Sequence, residues 1–197
     1  MDEEGILTFR KALITLATKG MATIKVEEIK NGMPGITTAI GEYLYENILI
    51  GMHLSNHSSG VTLTITGLIE EMCTLSWDGI CTSQMLRAYA DHHNVTEEAA
   101  VGLSLLLTRE FTDYTIVERS WTGTGIDYWL GYKDDPLFTR AARLEISGIM
   151  VETTSNNITT RLKVKEQQIQ KSDYTSLPAY ISIVELGTPK ALFHKQS

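Results

Sequence analysis

The order of elements in the second half of the chain most constrains what it can fold into. Residues 95–111 place Ala99, Ala100, Leu103, Leu106, Leu107 and Phe111 at helical spacing, and Asn94 with Glu97 forms a capping-box pattern ahead of them. Strand-prone stretches follow at residues 115–118, 126–132 and 143–151, separated by Trp121-Thr122-Gly123-Thr124-Gly125 and by the turn Lys133-Asp134-Asp135-Pro136. Thr159 or Thr160 then caps a helix to about Lys171, and residues 180–184 read as the last strand. Three strands joined by short turns form an antiparallel meander, and the helix before the fourth permits a crossover to a parallel neighbour. The expected fold is α/β, a mixed sheet flanked by helices.

The first half, residues 1–93, is read as an α+β accessory region that binds a protein partner, ahead of a core at residues 94–197. Residues 6–19 have the spacing of a short amphipathic helix, and residues 23–29 suit a strand or a helical turn. Asn31-Gly32-Met33-Pro34-Gly35 marks a turn, after which Thr37 or Thr38 caps a second helix. Val61-Thr62-Leu63-Thr64-Ile65 alternates as a strand does; residues 69–80 remain open, and residues 82–91 are helical.

At 197 residues and 43% hydrophobic, the chain can bury a substantial core. No apolar run reaches the ~18 residues of a membrane span, and the acidic start lacks a signal-peptide core, so a soluble cytoplasmic protein is expected. Cys73 and Cys81 match neither a disulfide framework nor a metal knuckle and are expected to fill core space. The net charge of −7 opposes bulk coating of nucleic acid. It is unevenly placed: residues 1–119 hold 8 Lys+Arg against 16 Asp+Glu, whereas residues 120–197 hold 9 against 8. The second half is therefore the one suited to approach phosphate.

Two acids interrupt otherwise apolar strands, Asp127 in Gly-Ile-Asp-Tyr-Trp-Leu and Glu145 in Arg-Leu-Glu-Ile-Ser. A carboxylate buried there needs a cation, a donor or a metal. A hairpin centred on Pro136 puts the two directly opposite on one face, ~5 Å apart at Cβ, whereas a one-residue slip puts them on opposite faces. Adjacent carboxylates repel unless a hard cation such as Mg²⁺ lies between them. Glu110, at the apolar edge of the 95–111 helix, could reach the same cation. An internal ion-pair network with Arg143, Arg109 or Arg161 is the competing explanation.

This constellation resembles the PD-(D/E)XK nuclease superfamily over residues 95–197, in element order and in Gly125-Ile126-Asp127 and Leu144-Glu145-Ile146-Ser147. The resemblance implies a restriction-endonuclease-like sheet in which Asp127 and Glu145 hold Mg²⁺ or Mn²⁺. Glu110 serves as the auxiliary acid, and the backbone carbonyl of Ile146 completes the site. It implies phosphodiester hydrolysis, with metal ions orienting water and neutralising charge on the phosphate. Ser147 stands where the family has its lysine; Lys165 and Lys163 on the next helix are the substitutes, Lys165 favoured by lying with Leu162 and Ile169, and Gln168 is a polar alternative.

The remaining features are weaker. His53 and His57 have metal-compatible spacing without a completing acid, and a surface pair is the simpler reading. His92-His93 suits a helix C-terminus. Gly123-Thr124-Gly125 suits a tight turn or a close approach to substrate, Trp121 and Trp129 suit base stacking or core packing, and Glu42 with Glu46 suits a solvated face. The expectation is a metal-dependent phosphodiesterase acting on nucleic acid, DNA before RNA, as a nuclease or nuclease subunit in restriction, phage defence or repair. A larger protein partner would supply grip on the substrate; self-association is compatible, membrane binding is not expected. The alternatives are a non-catalytic nuclease-fold subunit serving as a protein-interaction module, and a small-molecule hydrolase in which Asp127 and Glu145 lie far apart.

Overall fold

A computed structural model describes residues 21–196. In chain order they form β1 (Ala22–Lys25), a 3-10 turn (Val26–Asn31), α1 (Thr38–Leu54), β2 (Val61–Gly67), β3 (Glu71–Ser76), α2 (Ser83–Ala88) and α3 (His92–Phe111). Then come β4 (Tyr114–Arg119), β5 (Tyr128–Tyr132), β6 (Ala142–Ile149), α4 (Ile158–Ile169), a 3-10 turn (Gln170–Thr175), β7 (Ala179–Glu185) and β8 (Lys190–Lys195). The helix read at residues 6–19 lies outside the described residues.

The eight strands form one mixed sheet in the order β1-β3-β2-β8-β7-β6-β5-β4. Strands β4, β5 and β6 are the expected antiparallel meander, and α4 carries the chain across so that β7 runs parallel to β6. Residues 180–184 are not the last strand. β8 follows the Thr188-Pro189 turn, pairs antiparallel with β7 and parallel with β2, and thereby joins the two halves of the chain in one sheet.

Helices α1 and α3 cover one face: Leu44, Ile48 and Met52 of α1 and Ala99, Leu103 and Leu106 of α3 bury against Leu63, Leu75, Leu144 and Phe193. The other face is covered over β5 to β8 by α4, through Ile169 and Leu162 against Trp129, Ile181 and Ile183. Residues of β6 and β7 are buried throughout, as strands packed on both faces must be. β2, by contrast, alternates, its leucine and isoleucine facing inward and Thr62, Thr64 and Thr66 exposed.

Local capping explains most boundaries. Thr37 caps α1, its hydroxyl accepting from the Ile40 amide at 3.3 Å. Asp91, and not Asn94, caps α3, accepting from the amides of His93 and Asn94. His92-His93 therefore open this helix instead of closing the previous one. Asn157 caps α4 in a reciprocal box with Thr160. His57 bonds the carbonyls of Leu186 and Gly187 at 2.9 and 3.2 Å, so it ties α1 to the end of β7 while His53 faces solvent. Cys73 is buried and Cys81 half-buried, both free. Burial pushes both thiols up, Cys73 to about 11 with help from the charges of Glu110 and Glu71.

Phe193, 1% exposed, anchors β8 in the shared core. Phe193→Ala should cost about 3–5 kcal/mol in a urea unfolding curve, with a single transition if both halves unfold as one unit. Two separated transitions would contradict the shared core.

Candidate functional site

Pairing of β5 with β6 ends at Tyr128 opposite Leu144, in the register of a hairpin centred on Pro136. Asp127 lies one residue beyond, its amide donating to the Leu144 carbonyl at 2.9 Å. From there on the β5-side edge of β6 has no strand neighbour, and its next donor, the Ile146 amide, is taken by the Asp127 Oδ2 at 2.7 Å. Because a residue's N–H and C=O point to the same side of a strand, the Ile146 carbonyl also faces this gap.

Glu145 shares the α4 side of the sheet with Asp127 and is 1% exposed at its side chain. Its Oε1 accepts from the Lys165 ammonium and from Gln168 Nε2, the latter at 2.7 Å. Its Oε2 is buried with no hydrogen-bond partner. Burial pushes the Glu145 carboxyl up to about 8; the negative charge and hydrogen-bonding contact of Asp127 add to this, and Lys165 opposes it. Lys165 and Gln168 are one turn apart on α4, so one helical face holds both donors against the carboxylate.

Two glycines permit this closeness. A Cβ on Gly125, which has φ of +80°, would lie 2.1 Å from the Gln168 carbonyl oxygen, so only glycine lets the Asp127 loop seat on α4. A Cβ on Gly148 would lie 2.4 Å from the Thr96 carbonyl oxygen, so β6 admits the first turns of α3. The result is a cavity of about 190 Å³ between α3 and α4, lined among others by Glu98, Arg119, Asp127, Ile146, Ser147 and Lys165. Glu98 is pushed up by burial and by the charges of Glu97 and Asp127, with Arg119 opposing. Burial likewise pushes Tyr128 up to about 12, Arg119 opposing and Glu98 and Asp127 adding.

Of the residues singled out by sequence, Asp127, Glu145, Ile146 and Lys165 come together here. Lys163 does not: it is exposed, on the solvent side of α4. Glu110 is also elsewhere. It lies ~18 Å along α3 from Glu98 and borders a groove with Glu70, Glu71, Asp113 and Lys133. The helix acid beside Asp127 is Glu98. Chain order contained the signal: α3 turns directly into β4, so β4 runs back along the helix, and Asp127, opposite the far end of β4, must meet the N-terminal turns of α3.

The competing arginine network is not formed. Arg143 bonds Asp173 at 2.9 Å and Ser172 at 3.0 Å, Arg109 pairs with Glu28, and Arg161 bonds Asn156 at 2.7 Å. The cation on Glu145 is Lys165. Glu46 is more than a solvated acid, since it accepts from the Tyr89 hydroxyl at 2.5 Å.

The donor set is two adjacent carboxylates, one with an orphaned oxygen, and a free-facing carbonyl. That fits a hard cation such as Mg²⁺ or Mn²⁺, which takes one or two protein carboxylates and completes its shell with water and phosphate. Among the described residues, no cluster of three or more His, Cys, Asp or Glu side chains forms a metal site. No helix among them is long and apolar enough to cross a membrane.

Glu145→Gln removes the clash of two acids and lets the new amide donate toward Asp127. An acid whose folded pKa is raised lends stability that is full below the ordinary carboxylate range and lost as pH rises through about 8. In EDTA the variant should therefore melt above the parent at alkaline pH, by roughly 2–4 °C per kcal/mol gained, and the difference should shrink in mildly acidic buffer. A difference that does not vary with pH would contradict this ionisation.

No family model, curated protein or solved structure matches this chain.

Proposed function

We propose that the chain is a divalent-metal-dependent phosphodiesterase, a DNA endonuclease or nuclease subunit with a PD-(D/E)XK-like core running from α3 to β7. The observation that carries this reading is the buried, unpartnered Oε2 of Glu145 beside the Asp127 carboxylate, where β5 parts from β6. The helix, three-stranded meander, helix and parallel strand around it support the fold assignment.

When bound, Mg²⁺ or Mn²⁺ supplies Lewis-acid charge for the phosphate and the leaving oxygen. The rest follows from the chain's own groups. Ile146 N–H fixes Asp127, and Gln168 and Lys165 fix Glu145, so both carboxylates are held before any ligand arrives. Lys165, from α4, brings to the site the ammonium that Ser147 cannot, and Arg119 and Arg161, which line the same cavity, add further positive charge. With an overall charge of −7, grip on a long nucleic acid falls to a larger protein partner.

A second reading is favoured by one contact: the Lys165–Glu145 ion pair satisfies one carboxylate oxygen without any metal. On that reading the chain is a non-catalytic nuclease-fold subunit, a protein-interaction module. Cleavage of single- and double-stranded DNA and RNA with Mg²⁺, Mn²⁺ or EDTA, alone and with co-purified partners, separates the two. Metal-dependent cutting should vanish in Asp127→Ala and Glu145→Ala, fall about 10- to 100-fold in Lys165→Met, and be unchanged in Lys163→Ala and Glu110→Ala. No cutting under any condition, or cutting that survives Glu145→Ala, would overturn the enzyme reading.

A further inference from the structure

A second cavity, of about 310 Å³, opens beside the first and shares Arg119 and Asp127 with it. Its walls include Trp121, Gln168 and Lys171. Trp121 is 79% exposed, on a loop that is nevertheless tied down. Ser120 N–H donates to the Asp127 carbonyl at 2.8 Å, and the Thr124 hydroxyl donates to the Trp121 carbonyl at 2.9 Å and lies 2.8 Å from Ser120 Oγ. Gly125 seats the loop on α4, as described above. The other tryptophan weighed for stacking, Trp129, is 4% exposed, with the Arg140 guanidinium 4.5 Å over its ring. It belongs to the core.

An exposed indole on an ordered loop, bordering a cavity lined by two cations, suits an aromatic, anionic ligand. The cavity lies at the small end of the range for small-molecule sites, about the scale of one nucleoside. A phosphodiester bound at Asp127 would send its flanking nucleoside into this space, with Arg119 and Lys171 toward its phosphates. In a duplex each base face is covered by its neighbours, so a side chain can stack only on a base that is unpaired or extruded.

We propose that Trp121 stacks on the base next to the scissile phosphate, and that the substrate at this site is single-stranded nucleic acid. The inference rests on reading Asp127 and Glu145 as the phosphodiester site. It is tested by binding of a short labelled oligothymidine, and of a hairpin duplex of equal length, in EDTA, read by anisotropy and by quenching of tryptophan emission. The single strand should bind more tightly and quench emission. Trp121→Ala should abolish the quench and weaken binding by about 5- to 100-fold, the scale of one lost base–aromatic stack, while Trp121→Phe retains most of the affinity. Equal affinity of parent and Trp121→Ala, or preference for the duplex, would overturn the proposal. Metal-dependent cutting that is indifferent to Trp121→Ala would overturn this inference and leave the nuclease reading standing. Trp121-dependent binding without cutting in any metal, alone or with co-purified partners, would support the stacking site and overturn the nuclease reading.

Discussion

Burial of the Glu145 carboxylate is the constraint on which the rest of the site depends. It sits on β6, a strand covered by helices on both faces, where an unpaired charge is costly. Three things offset that cost: the ammonium of Lys165, the amide of Gln168 and the uptake of a proton favoured by the raised carboxyl. The first two act on Oε1, so once the carboxyl ionises Oε2 is left without a donor. A well-packed chain rarely leaves a buried carboxylate oxygen without a partner, and such a group is the kind of local inconsistency that function explains better than stability does.

The sheet's geometry turns this one residue into a site. Because β5 stops pairing at Leu144, the next stretch of β6 edge is open, and Asp127 caps its first donor. The same opening admits α3 on one side, over Gly148, and α4 on the other, so acids, a carbonyl and cations from four elements line one small space. The first half of the chain supports this indirectly. α1 packs along α3 in the common core, and β8 fastens β2 to the central strands, so the acidic region holds in place the helix that carries Glu98.

Much of this was legible in residues alone, because it is local or symmetric. A hairpin centred on Pro136 sets the β5–β6 register and brings Asp127 opposite Glu145, and the Leu162/Ile169 stripe of α4 singles out Lys165 over Lys163. What escaped depends on long-range order. Glu110 has the apolar edge position expected of a site acid, but periodicity does not say which end of a helix meets the open end of a hairpin. β8 is short and follows a proline, and its partner β2 is more than a hundred residues away, so nothing near Ala191 and Phe193 marks them as a strand that closes the sheet. Asp91 and Asn94 are both good caps three residues apart, so residue type alone does not choose between them; Asp91 takes the amides of His93 and Asn94.

On the proposed reading, Asp127 and Glu145 together hold a divalent cation. Titration of the protein with Mn²⁺, followed by the paramagnetic resonance signal of the free ion, tests it without reference to substrate. One bound ion per chain is expected in the parent and none in the Asp127→Asn/Glu145→Gln double variant, with circular dichroism showing the variant folded. Equal binding by the folded variant, or no binding by the parent, would contradict it.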